Sequence, residues 1–182
     1  MAIGASAGGV SALQKLVSQF DEKWPVAVFI TIHMGRGGGD FARILNGKSP
    51  MPVSYARHGG EFGRGIYLAP PDRHLIIGKN GLSLSEGPRE NYARPAIDPM
   101  FRSAAQNHGC RVIGVLLTGY LYDGVSGLYD IHAAGGRTII QHPTDAEVPD
   151  IPLNALRRFS PDYLIPLSKI STTIAQELQV AE

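Results

Sequence analysis

Met1-Ala-Ile-Gly-Ala-Ser-Ala-Gly-Gly9 places a serine among glycines at the point where an apolar strand gives way to a helix. Ala2 and Ile3 suit a buried strand, Gly4, Gly8 and Gly9 permit a tight turn, and Val10, Leu13, Val17 and Phe20 then recur at helical spacing. The Ser6 hydroxyl is therefore expected near a helix N-terminus. Free N–H groups and the positive end of the macrodipole stabilise negative charge there, either an oxyanion formed in acyl transfer or a bound phosphate. Gly4-Ala-Ser6-Ala-Gly8 fits the G-x-S-x-G nucleophile elbow. It also fits a plain turn with a capping serine. A phosphate cradle ranks lower, because the glycines lead into Val10 and Ser11 with no Walker lysine, and the spacing is not G-x-G-x-x-G.

Outward from this turn, apolar runs alternate with helical patterns in the rhythm of a parallel α/β sheet. Val26 to Ile32 reads as a buried strand ending at His33, followed by a glycine-rich loop, Gly35 to Gly39, and a short helix near Asp40 to Leu45. Short strands follow at Val53 to Tyr55, Ile66 to Ala69, His74 to Ile77 and Leu82 to Ser85, the last two around Asn80-Gly81, a hairpin signal. A helix over Pro99 to His108, a strand over Val112 to Leu117, a helix over Ser126 to Ala134 and a strand over Thr138 to Gln141 come next. A helix over Leu153 to Phe159, a strand at Tyr163 to Ile165 and a helix from Lys169 complete the pattern. The fold class expected is α/β, a doubly wound, mostly parallel Rossmann-like sheet with helices on both faces and an antiparallel hairpin at one edge. Residues 1–182 are read as one domain, whose ligand site lies at the carboxyl ends of the strands.

The 182 residues are 43% hydrophobic and 18% charged, enough for a sizeable core. A net charge of +1 leaves no electrostatic footprint for nucleic acid or an anionic membrane. No apolar stretch approaches a membrane span and no basic segment precedes an apolar one at the N-terminus, so a cytoplasmic location without membrane insertion is expected. The abrupt start, almost inside the first strand, suggests either a preceding domain removed or a minimal N-terminus. Cys110, the single cysteine, excludes an internal disulfide and is expected to be a small buried hydrophobe. His58, His74, His108 and His132 show no metal-ligand spacing and are read as surface or hydrogen-bonding residues. Trp24 is expected to pack the edge of the core.

Three polar groups fall at strand ends: Ser6, His33 and Asp123. A serine hydroxyl needs a base, an imidazole is a suitable one, and a carboxylate sets the imidazole tautomer and stabilises its cation. Singly, His33 could bond a loop and Asp123 could cap the helix after Gly124.

The set resembles the catalytic domain of the CheB-type chemotaxis receptor methylesterases over essentially the whole chain. Gly4 to Gly9 is similar to that family's serine motif, Ile32-His33-Met34 to its histidine motif, and Leu117-Thr-Gly-Tyr-Leu-Tyr-Asp-Gly124 to its aspartate motif. Tyr67-Leu-Ala-Pro-Pro-Asp72 with His74, and Arg94-Pro-Ala-Ile-Asp98 through Phe101 and Ser103, resemble family segments in the same order. The resemblance implies hydrolysis of glutamate γ-methyl esters on the cytoplasmic helices of methyl-accepting chemotaxis receptors, releasing methanol, in a signal-transduction pathway. Ser6 would be the nucleophile, His33 the general base and Asp123 its orienting partner, with no metal or organic cofactor. Some members also deamidate receptor glutamines. The backbone N–H groups of Ala7 and Tyr120 would form the oxyanion hole, and Arg94 is the substrate-binding arginine favoured over Arg36 and Arg102.

Two departures stand out. Ala7 replaces a threonine common in the family, and Tyr120-Leu121 replaces a Met-Gly pair. A need for φ > 0 at that glycine would leave Leu121 strained. The family's regulatory form carries a receiver domain whose phosphorylation relieves inhibition, and no such segment is recognisable in this chain. A receiver domain outside this sequence or a separate activator would supply that control. The rival readings are a degraded or non-catalytic esterase-fold sensor of anions, and a general α/β serine esterase using Ser6, Asp123 and His142. In the α/β-hydrolase fold several strands precede the elbow, whereas only five residues precede Ser6 in this sequence, and His33 would lack a purpose.

Overall fold

A computed structural model describes residues 1–34 and 40–180. In chain order its strands are β1 (Ala2–Ala5), β2 (Ala27–Ile32), β3 (Val53–Tyr55), β4 (Gly65–Leu68), β5 (His74–Ile77), β6 (Leu82–Ser85), β7 (Ile113–Leu116), β8 (Arg137–Gln141) and β9 (Tyr163–Ile165). The α-helices are α1 (Gly9–Val17), α2 (Phe41–Asn46), α3 (Ile97–His108), α4 (Val125–Ala133), α5 (Asp150–Arg158) and α6 (Leu167–Val180). Seven strands form one sheet in the order β3-β4-β2-β1-β7-β8-β9, with every pair parallel.

Alternation along the central strands sorts side chains into two cores. Ile3, Val28, Ile30, Ile32, Val115 and Leu117 pack with Leu13 and Leu16 of α1, Phe41 and Leu45 of α2, and Ile170 and Ile174 of α6. Ala2, Phe29, Leu116 and Ile140 face the other way, onto Met100 and Phe101 of α3, Leu128 and Ile131 of α4, and Ile151 of α5. A sheet covered on both faces needs near-continuous apolar strands, which is why β1, β2 and β7 read as apolar runs with buried Thr31 of β2 the one polar member.

Two glycines set how closely the second layer approaches. A Cβ on Gly4 would lie 2.3 Å from Ile97 Cγ2, and one on Gly114 would lie 2.7 Å from Leu128 Cδ1. Their bare backbones let the start of α3 and the middle of α4 sit against β1 and β7. That placement brings the first N–H groups of α3 to the site described below.

The hairpin expected around Asn80-Gly81 forms, with His74↔Ser85 and Ile77↔Leu82 as its end pairs. It is a separate two-stranded sheet, not an edge of the main one. Leu75, Ile77 and Leu82 cluster with Met100 and Phe101 of α3, and Ser103 Oγ accepts the Ile77 N–H at 2.9 Å, so the helix is its support. The parallel edge belongs to β3 and β4, paired Val53↔Ile66 through Tyr55↔Leu68. Strands this short have no alternation that separates parallel from antiparallel pairing.

Cys110 is exposed, contrary to expectation. Gly109 leaves α3 at φ +54 and starts a single 3-10 turn over Gly109–Arg111, so the buried run begins only at Val112. Trp24 packs at the core edge, its ring 5.0 Å from that of Phe20.

Candidate active site

β1 is the strand from which the sheet grows in both directions, with β2 on one side and β7 on the other. Crevices at such a switch point, outside the carboxyl ends of strands, are where open α/β sheets bind ligands. Ser6 directly follows β1, His33 directly follows β2, and Asp123 lies in the turn between β7 and α4. The register Ala5↔Ile32, continued by the His33 N–H on the Ala5 carbonyl at 3.2 Å, places Ser6 and His33 side by side.

His33 Nδ1 lies 3.1 Å from Ser6 Oγ, and His33 Nε2 lies 2.6 Å from Asp123 Oδ2. An ionised carboxylate only accepts, so Nε2 carries the hydrogen and Nδ1 presents its lone pair to the serine hydroxyl. Ser6 is thus set beside a base in the correct tautomer. The imidazole is 22% exposed and can reach a substrate, whereas Asp123 is 2% exposed.

Asp123 is unusually well supplied with donors. Besides His33, its Oδ2 accepts the Ile97 N–H at 2.6 Å, and its Oδ1 accepts Asn91 Nδ2 at 2.7 Å and the Asp98 N–H at 3.1 Å. Two of these come from the first turn of α3, where the helix macrodipole also favours an anion. Burial acts to raise its pKa, but the hydrogen bond and charge of His33 with the N–H groups of Ile97 and Asn91 outweigh it and hold the carboxyl below its ordinary range.

The turn after Ser6 is built by Gly8 at φ +78, which lets the Gly9 N–H close on the Ser6 carbonyl at 2.8 Å before α1 begins. Thr118 ties this turn to the aspartate loop: its carbonyl accepts the Ser6 N–H at 2.9 Å and its hydroxyl donates to the Ala7 carbonyl at 2.9 Å. Gly119 sits directly on the serine, where a Cβ would fall 2.5 Å from Ser6 Cβ and 2.6 Å from Ile151 Cδ1. Gly119→Ala is therefore expected to displace Ser6, lowering any reactivity of its hydroxyl and costing about 1–3 kcal/mol of stability in a denaturant titration. Among the described residues, the N–H groups of Ala7 and Tyr120 donate to no protein acceptor.

Leu121 has φ +65, the left-handed conformation that the departure from glycine foreshadowed. Asn154 Nδ2 holds its carbonyl at 2.6 Å, and its side chain is half exposed. Leu121→Gly is expected to raise stability by up to about 1 kcal/mol, read as a higher Tm, because the backbone strain relieved exceeds the packing that a half-exposed leucine provides.

Ser6, His33 and Asp123 open into a cleft of about 320 Å³ lined also by Met34, Arg89, Tyr92, Arg94, Tyr120 and Leu121, among others. Tyr92, Tyr120 and Tyr122 stand exposed, Tyr120 at 61%. An apolar cleft of about 200 Å³ at Phe29, Phe62 and Ala104 lies at the amino ends of the strands, away from the triad.

The remaining expectations separate clearly. Arg94 reaches the cleft, yet its guanidinium is held by Asp72 at 2.9 Å and by the carbonyls of Glu86 and Gly87 at 2.8 and 2.9 Å. It anchors a loop rather than standing ready for substrate. Arg102 bonds both Glu90 oxygens at 3.0 and 3.1 Å, and Arg36 lies outside the described residues. His142 bonds Thr144 Oγ1 at 2.8 Å and neither Ser6 nor Asp123, so the alternative Ser6-Asp123-His142 triad is not assembled. His74 is buried, accepting the Ala96 N–H and bonding the Pro88 carbonyl, while His58 and His108 bond backbone groups. His132 packs on Phe159 at 5.0 Å. No cluster of three or more His, Cys, Asp or Glu suited to a metal occurs among the described residues, and no described helix is long and apolar enough to cross a membrane. Asn91 was not legible as a site residue: it lies in a polar loop without periodicity.

Comparison with known proteins agrees with this arrangement. The family model described as CheB methylesterase matches residues 1–174. The chain belongs to the CheB methylesterase family. A relative from Leptospira interrogans is 36% identical over 172 residues, 93% of this chain and 89% of its own length. A protein-glutamate methylesterase/protein-glutamine glutaminase of Methanosarcina mazei is 35% identical over 97% of this chain, which spans only 51% of that relative. The crystal structure of the Thermotoga maritima CheB methylesterase catalytic domain superposes with a TM-score of 0.92 at 27% identity, over 98% of this chain and 96% of that one. The fold is therefore that of a CheB catalytic domain.

Proposed function

We propose that this protein is a serine hydrolase that removes methyl groups from glutamate γ-methyl esters on the cytoplasmic domains of methyl-accepting chemotaxis receptors. The observation that carries the reading is the continuous Ser6-His33-Asp123 chain at 3.1 and 2.6 Å, open to a surface cleft.

Ser6 Oγ attacks the ester carbonyl while its proton passes to His33 Nδ1. The carbonyl oxygen, now an anion, is met by the Ala7 and Tyr120 N–H groups and the N-terminus of α1. His33 returns the proton to the methoxide as the C–O bond breaks, releasing methanol and leaving a γ-glutamyl ester on Ser6. Water, deprotonated by the same Nδ1, attacks that ester, and the glutamate carboxylate departs as Ser6 regains its hydrogen. Asp123 keeps its charge throughout and stabilises the imidazolium. A glutamine side chain would follow the same route with ammonia as the leaving group, in line with the glutaminase half of the name carried by the Methanosarcina relative. The exposed rings of Tyr92 and Tyr120 give the cleft an apolar rim on which a receptor helix can rest.

The experiment is methanol release from receptor cytoplasmic domains bearing radiolabelled methyl esters. Release that disappears in Ser6→Ala supports the reading. No release by the folded wild-type protein, with or without a phosphorylated activator, overturns it.

A further inference from the structure

Asn91 sits on a small, rigid loop. Glu90 and Ala93 exchange both backbone hydrogen bonds, at 3.1 and 2.9 Å, and the residues between them, Asn91 and Tyr92, have φ of +50 and +66. Positive φ at both central positions is the signature of a type I′ turn, in which asparagine is favoured at the first. The loop is fastened from outside. Arg94 bonds Asp72 and two loop carbonyls, Arg102 bonds Glu90, and His74 bonds Pro88 and Ala96.

All this fastening delivers one amide group to two buried carboxylates. Asn91 Nδ2 lies 2.7 Å from Asp123 Oδ1 and 2.7 Å from Asp98 Oδ2. An NH2 has two hydrogens, and each is used on a different acid. Asp98 is 6% exposed, and its other oxygen accepts the Gly127 N–H of α4 at 2.7 Å. Burial first, then the neighbouring Asp123 charge, act to raise the Asp98 pKa against the bonds from Gly127 and Asn91 and the charge of Arg102. Without a donor between them, the two acids would face each other at short range with little water to screen them.

We infer that Asn91 is a positioning residue for the hydrolytic reaction: its NH2 clamps Asp123 to Asp98 and so holds Asp123 Oδ2 on His33 Nε2. The inference rests on the reading of Ser6-His33-Asp123 as an esterase triad. Asn91 touches no reacting atom and acts through Asp123 alone.

Asn91→Gly tests it, because glycine takes the left-handed backbone without strain and only the amide is deleted. Labelling of Ser6 by a fluorophosphonate and hydrolysis of p-nitrophenyl acetate report the activated serine whatever the natural ester is. Asn91→Gly is expected to keep the wild-type circular dichroism and KM for p-nitrophenyl acetate while kcat and the labelling rate fall about 10- to 100-fold, as for other partners that orient a working side chain. The acid limb of the labelling profile should move to higher pH, since a carboxylate with one donor fewer holds an imidazolium more tightly. Asn91→Asp, of the same shape but without the donor, should lose at least as much. Labelling at the wild-type rate with an unmoved acid limb in Asn91→Gly, or an Asn91→Asp protein as active as wild type, overturns the clamp. If labelling depends on Asn91 but the wild type releases no methanol from receptor domains, the clamp stands and the proposed substrate falls.

Discussion

Ser6→Ala lowers kcat for ester hydrolysis by roughly 10,000- to 1,000,000-fold and leaves the fold unchanged. Both halves of this expectation come from the geometry. Among the described residues, the only hydrogen-bond partner of Ser6 Oγ is His33, and the serine side chain is partly open to the cleft, so its removal buries no orphaned polar group. The backbone that positions it stays in place through Ser6 N–H on the Thr118 carbonyl and Gly9 N–H on the Ser6 carbonyl. His33 retains Asp123 as its partner. What is lost is the attacking atom, and with it the acyl-enzyme route. The residual rate would be that of water attacking an ester held near the Ala7 and Tyr120 N–H groups. Stopped assays on p-nitrophenyl acetate with thermal melts of both proteins measure it. Retention of more than about a tenth of wild-type turnover would show that another group carries the chemistry.

Local sequence carried the strands well because β1, β2 and β7 are buried on both faces and so are almost wholly apolar. It pointed to Ser6, His33 and Asp123, which the fold brings together, because the first two directly follow such a run and the third lies in the turn after one. The pairing of those runs was less accessible. β3 and β4 are three and four residues long, and their parallel edge depends on the 56–64 connection and on backbone bonds that composition does not encode. Cys110 misled because an apolar run begins two residues later, while the helix ending at Gly109 turns the cysteine outward. Asn91 and the partners of Arg94 were hidden for a related reason. Their roles lie in what a loop touches across the fold, Asp98 and Asp123 in one case, Asp72 in the other. Strand ends announce Ser6 and His33, whereas the contacts of Asn91 and Arg94 are known only from the folded arrangement around them.

Asp123→Asn is expected to lower kcat by roughly 10,000-fold, although the side chain changes by a single group. The wild-type carboxylate accepts four hydrogen bonds, from His33 Nε2 and Ile97 N–H on Oδ2 and from Asn91 Nδ2 and Asp98 N–H on Oδ1. An amide offers one oxygen and one NH2, so in either orientation two donors meet donors. With the NH2 toward Asn91 and Asp98, the clash falls on the loop and on α3. With the NH2 toward His33, the imidazole must turn its lone pair to that side, and Nδ1 then carries the hydrogen facing Ser6. The base is lost in the second case and the imidazolium loses its counter-charge in both. Stability follows the same logic. The Asp123 pKa is lowered on folding, so its contribution is fully present above the unfolded carboxylate value and disappears as pH falls through the lower native one. The Tm gap between wild type and Asp123→Asn should accordingly be widest near neutral pH and narrow in acid. A gap that widens on acidification would mean that Asp123 is protonated in the native protein, and the tautomer assigned to His33 would have to be reversed.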